Sequence, residues 1–397
     1  MTELSDPIVI VGAARTPMGA FQGDLKAATA PELGAVAIRA ALQRAGVDAK
    51  AVQEVLMGCV LPAGQGQAPA RQAALGAGLP LTTACTTVNK MCGSGMKAVM
   101  LAHDTILGGS AAIAVAGGME SMTNAPYLLD RARAGYRMGH GRVLDHMFLD
   151  GLEDAYDKGR LMGTFAEDCA QCYSFSRAEQ DAFAAESLRR ARRAVEDGTF
   201  AAEIAPVTVK AGKTEQVIDR DEPPLKANPE KIASLKPAFR EGGTVTAANS
   251  SSIADGAAAL VLMRSSQAEK MGLAPLATIV GHASFAQAPS LFTTAPIGAL
   301  RGLVERTGWK LDEVDLFEVN EAFAVVSMAA MKDLGLPPDK VNVHGGATAL
   351  GHPIGASGAR ILVTLLNAMR KYDARRGMAA LCIGGGEATA MAIERLR

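Results

Sequence analysis

A cysteine set among small residues is the first feature of this sequence that could do chemistry. Cys92 lies in the run NKMCGSG, before an Ala-rich apolar segment that ends at Gly108. The helical spacing of that segment predicts a buried helix with Cys92 in its first turn. Free backbone N–H groups and the positive end of the helix dipole would favour the thiolate of Cys92. A cysteine beside glycines is also typical of a small packed residue, so this motif alone leaves catalysis open.

Three further clusters in the last third of the chain carry groups that could assist a thiol. Asn320 follows the expected strand 314–319, at the strand end where α/β sheets place their sites. His352 lies in the run GHPIGASG, at the expected start of another helix. Cys382 ends an expected strand, and the glycines after it can turn backbone N–H groups toward a ligand oxygen. Each of these clusters, taken alone, is more often structural than catalytic.

Together these residues form a set that suits acyl transfer through a thioester. The set supplies a thiol nucleophile, a base, an amide that can hydrogen-bond, glycine N–H donors and a second thiol. A hydrolase or a protease needs only one thiol. A further acid or base is needed when a carbon-bound proton must be removed from a second thioester. The second cysteine therefore favours a reaction at carbon over simple hydrolysis.

Length and composition bear on the class of protein. The 397 residues indicate two or three domains, and a net charge of -1 argues against nucleic acid or an anionic membrane as a partner. No apolar run approaches the roughly 20 residues that span a bilayer. Six dispersed cysteines and a start without a basic leader predict a cytoplasmic protein. Cys169 and Cys172 have the spacing of a metal pair but no partner pair, so no metal site is expected.

The elements that position these groups alternate between strands and helices. The apolar runs 8–11 and 111–116 predict strands, the second of them ending at Gly117, and 31–45 predicts a helix. Alternation of this kind indicates an α/β fold with a mostly parallel sheet. The charged stretch 125–251 interrupts the pattern and is expected to form a lid or a ligand-binding subdomain.

The last third of the chain repeats the order of the first third. Ile279-Val280-Gly281 parallels Ile10-Val11-Gly12, and Ser357-Gly358 parallels Ser94-Gly95. The repeat predicts two similar halves packed as a pseudo-twofold pair, with equivalent helices near one another. We expect the site to lie between the two halves.

Taken together, the four motifs resemble those of the thiolase family. NKMCGSG, NEAFA, GHPIGASG and CIGGG stand in that family's order and spacing, and the resemblance covers essentially the whole chain. It implies an α/β fold with five layers, αβαβα, in which two βαβαβαββ halves are related by a pseudo-twofold axis and a loop domain is inserted. It also implies a homodimer or a homotetramer. The corresponding domains are 1–124 with 252–272 for the first half, 125–251 for the loop domain and 273–397 for the second half.

The resemblance further implies a role for each motif residue. Cys92 would accept the acyl group, His352 would take its proton, and Cys382 would act as acid and base at the carbon nucleophile. Asn320 would hold a water that forms one oxyanion hole with His352 Nε2, and the N–H groups of Cys92 and Gly384 would form the second. Four residues would line the pantetheine arm of coenzyme A: Met162, Ser251, Ala322 and Phe323.

The activity that the resemblance implies is the reversible condensation of two acetyl-CoA molecules to acetoacetyl-CoA and coenzyme A. Coenzyme A is then a substrate and product, and no cofactor or metal is required. A degradative 3-ketoacyl-CoA thiolase for longer acyl chains would use the same residues. A condensing ketoacyl synthase fits less well, because that relative lacks the second cysteine. An inactive carrier or scaffold with the same fold is the non-enzyme alternative, and the intact catalytic set argues against it.

Several positions depart from the common family pattern. Leu161 precedes Met162 where many biosynthetic thiolases carry a histidine. Phe292 stands where many relatives have methionine, which is expected to alter the tolerance for acyl chains. Glu387 follows the glycine turn of CIGGG, beyond the expected oxyanion donors, so no loss of activity is expected from it. His103 is interpreted as a structural residue.

Overall fold

Strands and helices alternate through most of the chain in the computed structural model, which describes residues 6–396. The strands are β1 Ile8–Arg15, β2 Gly19–Ala20, β3 Glu54–Gly58, β4 Ala84–Val88, β5 Ile113–Ser121, β6 Tyr127–Leu128, β7 Leu144–Asp145, β8 Val207–Ala211, β9 Thr214–Ile218, β10 Ala254–Arg264, β11 Ala277–Ala286, β12 Leu316–Val319, β13 Arg376–Ile383 and β14 Glu387–Glu394. The α-helices are α1 Ala30–Ala45, α2 Pro69–Gly76, α3 Ser94–Leu107, α4 Met162–Tyr173, α5 Arg177–Glu196, α6 Glu222–Lys226, α7 Ser265–Lys270, α8 Ala295–Thr307, α9 Ala324–Leu334, α10 Ala347–Leu350 and α11 Ser357–Lys371.

The main sheet is mixed and consists of two half-sheets. The first has the strand order β4-β3-β5-β10-β1 and the second has the order β11-β14-β13-β12, and the two join where β1 pairs with β11. Strand β3 is parallel to β4 and β5, and β12 is parallel to β13. Strand β10 runs antiparallel to β1, β5 and the short β2, and β14 runs antiparallel to β11 and β13. The prediction of a mostly parallel sheet is therefore wrong, because strands covered on both faces give continuous apolar runs whichever way they run.

Two helices lie between the half-sheets and complete a five-layered arrangement. Val99 of α3 and Leu365 of α11 belong to one buried cluster with Leu260 of β10 and Leu381 of β13. Helices α1 and α2 cover the outer face of the first half-sheet, and α8 and α9 cover the outer face of the second. The order of layers is αβαβα, as expected. Burial of Ala-rich helices on both faces explains the high content of small apolar residues.

The predicted repeat is visible in the geometry of the two half-sheets. In β1 the register against β10 shifts between Ile10 and Gly12. In β11 the register against β14 shifts between Ile279 and Gly281. The same irregularity thus occurs at the same repeated motif, and β-bulges of this kind bend and twist a strand. The two halves are therefore equivalent in local backbone detail as well as in the order of elements.

Helices α3 and α11 cross closely at their repeated Ser-Gly pairs. A Cβ on Gly95 would lie 2.8 Å from the backbone nitrogen of Ala359, and a Cβ on Gly358 would lie 2.4 Å from the backbone nitrogen of Met96. Separations this short leave no room for a side chain. Glycine at both positions therefore permits the contact that brings the two central helices together.

The motif residues Cys92 and His352 each lie just before the helix that follows them. Helix α3 begins at Ser94 with Gly93 as its N-cap residue, so Cys92 precedes the helix. Helix α11 begins at Ser357, more than a turn after His352. The predictions that placed Cys92 in a first helical turn and His352 at a helix start are wrong in this respect. Small residues and glycines fit a helix start and a preceding turn equally well, so the pattern could not separate them.

Strand β5 continues past its predicted end at Gly117 as far as Ser121. A Cβ on Gly117 would lie 2.0 Å from the carbonyl oxygen of Ala258, and a Cβ on Gly118 would lie 2.0 Å from the carbonyl oxygen of Gly355. Gly117 therefore allows the close approach of strand β10, and Gly118 allows that of the loop that carries His352, and neither glycine ends the strand.

The chain between β5 and β10 forms an insertion that contains α4, α5, α6 and the hairpin β8–β9. A buried ion-pair network fastens it to the first half. Arg15 of β1 donates from Nε to Glu203 Oε1 at 2.5 Å and from Nη1 to Asp221 Oδ1 at 2.6 Å. Removing the acidic partners would leave a buried, unpaired guanidinium. Within residues 6–396, none of the helices combines the length and the apolar character that spanning a bilayer requires.

Candidate active site

The four predicted motifs are carried by loops and strand ends of both halves. Cys92 lies in the loop between β4 and α3, and His352 lies in the loop before α11. Asn320 follows the last residue of β12, where its backbone N–H donates to the carbonyl of Ala380 at 3.0 Å. Cys382 lies near the end of β13. Each reacting group is thus placed at the edge of a rigid element.

The two cysteine motifs are in direct contact. A Cβ on Gly93, next to Cys92, would lie 2.4 Å from Cδ1 of Ile383, next to Cys382. The backbone N–H of Gly384 lowers the pKa of the Cys92 thiol. Cys92 also packs against a buried cluster that includes Ile354, from the loop that carries His352. The site therefore lies between the halves, as the repeat predicts.

A strained turn presents Cys92. Met91, immediately before it, has a φ of 46°, in the left-handed region that non-glycine residues rarely adopt. The hydroxyl of Ser94 accepts from the backbone N–H of Lys90 at 2.8 Å and donates to the carbonyl of Met91 at 2.6 Å. These bonds fix the turn at both of its ends. Backbone strain of this kind often occurs where a reactive group must be held in place.

The thiol of Cys92 is protonated in the resting site. Burial raises its pKa to about 11, although hydrogen bonds from the N–H groups of Gly384 and of Cys92 itself lower the pKa. The expectation that the helix terminus would favour the thiolate is therefore wrong. The N–H donors are present as expected, but the loss of solvation outweighs them. Cys92 consequently needs a base before it can attack.

His352 has the form of such a base. Burial and the charge of Arg360 lower the pKa of its imidazole to about 3, so the ring is neutral near pH 7. Its Nδ1 lies 2.6 Å from the hydroxyl of Ser357, and that hydroxyl donates to the carbonyl of Pro353 at 2.9 Å. A hydroxyl has one proton, so Ser357 must accept from the Nδ1–H of His352. The Nε2 atom, which is buried and has no hydrogen-bond partner among residues 6–396, then carries the lone pair.

Asn320 presents a free amide to the interior. Its side chain is buried, and in the part of the chain that the structure describes both Oδ1 and Nδ2 lack a hydrogen-bond partner. A buried amide without partners is costly, so such groups bind ordered water or a ligand. This geometry suits the water that Asn320 is expected to hold.

Cys382 is a second, fully buried thiol. Burial, together with the negative charge that Cys92 would carry once ionised, raises the pKa of Cys382 well above its usual value, so Cys382 carries a proton at rest. The turn after it has φ values of 94° at Gly385 and 89° at Gly386, which only glycine adopts easily. This turn directs the N–H of Gly384 back toward Cys92.

Comparison with known proteins agrees with this geometry. Residues 8–266 match the N-terminal domain of thiolase, and residues 273–395 match the C-terminal domain of thiolase. The chain belongs to the thiolase family. It is similar to acetyl-CoA acetyltransferase 2 of Arabidopsis thaliana, with 51% identity across 98% of this chain and 97% of that protein. It is also similar to acetyl-CoA acetyltransferase of Escherichia coli K12, with 52% identity across 98% of this chain and 99% of that protein.

A solved structure shows the same fold. The crystal structure of acetyl-CoA acetyltransferase from Bacillus anthracis superposes with a TM-score of 0.96. The sequences are 41% identical, and the match covers 98% of this chain and 99% of the other. The predicted five-layered thiolase fold is therefore confirmed.

The four residues expected along coenzyme A lie in the second half and in the insertion of this thiolase. Met162 begins α4, and its Sδ would lie 3.5 Å from a Cβ on Gly384. The N–H of Ser251 donates to the carbonyl of Ala322 at 3.0 Å. The ring of Phe323 packs edge to face against the ring of Phe239. Met162 packs against the buried apolar cluster to which Phe323 belongs. The structure thus places Met162 beside the catalytic turn and joins Ser251 to the NEAFA motif.

Glu120 is a residue of the site that the sequence analysis missed. It is fully buried on β5, and its carboxylate accepts from the N–H groups of Val60 at 2.9 Å, Leu61 at 3.1 Å and Gly355 at 2.9 Å. Burial raises its pKa to about 7 in spite of these bonds. Glu120 therefore ties the loop after β3 to the loop that carries His352. An acidic residue inside an otherwise apolar strand was the available signal.

The departures from the family pattern have visible partners in this thiolase. Glu387 forms an ion pair with Lys90, so the turn after Cys382 is linked to the turn before Cys92. Phe292 packs edge to face against Phe165 and Phe323. Its side chain is buried, so the loop carrying it is anchored in the apolar core of the second half.

Proposed function

We propose that this thiolase is an acetyl-CoA acetyltransferase, which condenses two acetyl-CoA molecules reversibly to acetoacetyl-CoA and coenzyme A. The observation that carries the proposal is the packing of the two cysteine motifs, in which Gly93 next to Cys92 lies against Ile383 next to Cys382. The N–H of Gly384 also lowers the pKa of the Cys92 thiol. The near-complete match to proteins with this name supports it.

The first half-reaction transfers an acetyl group to the enzyme. His352 Nε2 takes the proton of Cys92, and the thiolate attacks the thioester carbonyl. The N–H groups of Cys92 and Gly384 hydrogen-bond to the developing oxyanion, where one donor is worth about 3 kcal/mol of barrier. The carbon–sulfur bond to coenzyme A then breaks, and its thiolate takes the proton of Cys382. The products are acetyl-Cys92 and free coenzyme A.

The second half-reaction forms the carbon–carbon bond. The Cys382 thiolate removes a methyl proton from a second acetyl-CoA, which generates an enolate. A water held by Asn320 and the Nε2–H of protonated His352 hydrogen-bond to the enolate oxygen. The enolate carbon attacks acetyl-Cys92, the Cys92–carbon bond breaks, and Cys92 recovers its proton from His352. Every proton is returned, so no cofactor or metal is required in this proposal.

We place the pantetheine arm of coenzyme A along Met162, Ser251, Ala322 and Phe323. Met162 lies beside Gly384, and this position supports an approach from the insertion toward the two thiols. We also propose that the chain divides into a first half of residues 1–124 with 252–272, a loop domain of residues 125–251 and a second half of residues 273–397.

The proposed assembly is a homodimer or a homotetramer. Strand β4 lies at the edge of the first half-sheet, next to the loop that carries Cys92, and an open strand edge can pair with another chain. Leu129, Met138 and Val143 of the insertion are exposed large apolar side chains that a second contact would cover. The six free cysteines support a reducing compartment, and we retain the cytoplasm as the proposed location.

Labelled acetyl-CoA with mass spectrometry of the intact protein tests the nucleophile. We expect one acetyl group on the wild type and on Cys172→Ser, a control that changes an exposed cysteine. We expect none on Cys92→Ser. An adduct that persists on Cys92→Ser would contradict the assignment.

The role of Cys382 is tested by separating the two half-reactions. We expect Cys382→Ala still to become acetylated, more slowly than the wild type because the departing thiolate loses its proton donor. Condensation should fall further, by at least about 10²-fold, the typical contribution of an acid–base group. Equal loss of both steps would contradict this division of roles.

Thiolysis of 3-ketoacyl-CoA substrates of increasing chain length tests the preference for the acetoacetyl group. An undiminished rate on long chains would favour the degradative alternative.

A further inference from the structure

Two histidines and an aspartate meet on the side of the central helix, away from the catalytic loops. His103 and Asp104 are consecutive residues of α3, and His282 lies on β11 of the second half. Asp104 Oδ1 lies 2.9 Å from His103 Nδ1 and 2.9 Å from His282 Nε2. One possible ligand atom of each of the three residues lies within 4.8 Å of those of the other two. With a rise of 1.5 Å per residue, the cluster is roughly 14 Å along α3 from Ser94.

The cluster has two largely buried imidazole rings and one solvent-accessible carboxylate, that of Asp104. The side chains of His103 and His282 are 9% and 13% exposed, whereas that of Asp104 is 52% exposed. The two rings meet edge to face, with centroids 5.1 Å apart. Packing therefore fixes the directions of the two imidazoles, and the open side at Asp104 leaves access for an ion and for a water.

We propose that His103, Asp104 and His282 form a binding site for a divalent transition-metal ion of the zinc type. Two imidazole nitrogens and one carboxylate oxygen are a ligand set that Zn²⁺ accepts, with a water in the fourth position. Ligand bonds of about 2.0–2.2 Å place neighbouring ligand atoms of a tetrahedron about 3.3 Å apart. The observed separations of 2.9 Å to at most 4.8 Å need only small side-chain movements to reach that arrangement.

Binding would replace the two ring contacts to Asp104 Oδ1 by bonds to the ion. A metal-bound imidazole is neutral and carries one ring proton. The ion takes the lone pair of His103 Nδ1 and of His282 Nε2, and the ring proton then resides on the opposite nitrogen of each ring. The bound ion would fasten α3 of the first half to β11 of the second. The proposed site is therefore structural: the ion would link the two halves and would take no part in the condensation reaction.

Replacement of each histidine by asparagine tests the proposal. Asparagine keeps a donor for Asp104 but removes the nitrogen ligand. We expect Co²⁺ to bind the metal-free wild-type protein at one equivalent per chain, with a visible spectrum that lacks thiolate charge-transfer bands. We expect Zn²⁺ to raise the melting temperature of the wild type, because a ligand of the folded state stabilises it.

We expect His103→Asn and His282→Asn each to weaken Co²⁺ binding by more than about tenfold and to lose the Zn²⁺-dependent rise in melting temperature. The control His140→Asn, which changes an exposed histidine of the insertion, should behave like the wild type. Melting of each variant without metal shows whether it has folded. Equal binding by the wild type and both cluster variants, binding with thiolate bands, or no metal-dependent shift in the wild type would each overturn the proposal.

Discussion

Ser357 sets the tautomer of His352, and this dependence can be measured. The Ser357 hydroxyl accepts from the Nδ1–H of His352 and is itself fixed by the carbonyl of Pro353. Ser357→Ala leaves that N–H buried without a partner. A hydrogen bond to a group that becomes charged is worth about 1.5–3 kcal/mol. We therefore expect acetylation of Cys92 to slow by about 10–100-fold.

Single-turnover acetylation, followed by mass spectrometry, measures this rate. Ser357→Thr keeps the hydroxyl and serves as the matched control, so it should retain most of the wild-type rate. An unchanged rate in Ser357→Ala would show that His352 keeps its orientation without this hydrogen bond.

The reacting groups could be predicted from the sequence, whereas their environment could not. Cys92, Asn320, His352 and Cys382 each stand in a short motif of adjacent residues that shows their chemistry directly. The direction of the Cys92 pKa shift was missed, because burial of the thiol depends on segments that are distant in the sequence. Glu120 was missed for the same reason, since its three N–H donors lie on two other loops.

Among the structural elements, β5 carries a titrating group whose effect on stability has a definite sign. Burial raises the pKa of Glu120 from 4.5 to about 7, so the folded protein binds more protons than the unfolded chain between these values. Stability from this group is fully present below the unfolded pKa and is lost as the pH rises through about 7. The slope can reach about 1.4 kcal/mol per pH unit.

Glu120→Gln removes the titrating carboxyl. We expect the unfolding free energy of this variant to depend less on pH than that of the wild type between about pH 5 and pH 7. Urea unfolding at a series of pH values measures the dependence. Glu215→Gln, on the exposed hairpin β8–β9, should keep the wild-type slope. If Glu120→Gln also keeps that slope, the carboxyl does not titrate in this range.

The ends of elements were predicted best where a capping residue marks them. Helix α1 ends at Gly46, whose φ of 68° is the left-handed conformation of a helix terminus. Glycines inside an element do not mark its end. Gly117 lies inside β5 and allows close contact with Ala258 of the neighbouring strand β10. In the sequence, such a glycine looks the same as one that ends a strand.

At the scale of the whole molecule, the two halves depend on the crossing of α3 and α11. A Cβ on Gly358 would lie 2.4 Å from the backbone nitrogen of Met96, and a backbone atom cannot move aside without separating the helices. Overpacking of a core costs about 1–3 kcal/mol or more. We expect Gly358→Ala to lower the unfolding free energy by at least this amount and to reduce condensation.

Gly302 in α8 is a matched control for Gly358. Its Cβ would have Ala283 at 4.0 Å, so the substitution has room. Gly302→Ala should stabilise the protein by up to about 1 kcal/mol, because alanine is the better helix former. Urea unfolding compares the two variants. Equal effects would show that the helix crossing is not the sensitive contact.

The repeat made the two-half architecture predictable, because the same motifs occur twice in the same order. The direction and neighbours of the strands were not predictable in this way. Strand β10 pairs with β1 and β5. The insertion separates β10 from β5 along the chain, and β1 lies further away still. Apolar runs show that these strands are buried but not which strands they pair with.

The position of β10 has a consequence for the newly synthesised chain. Strands β1 and β5 leave the ribosome well before β10, which lies between them in the half-sheet and follows the whole insertion. Until residues 254–264 emerge, each of the two strands has an unpaired edge that can bind another nascent chain. In the second half, β11 likewise keeps an unpaired edge until its partner β14, the last strand within residues 6–396, has been made. Both halves therefore expose strand edges during translation, and those of the first half persist while the whole insertion is synthesised.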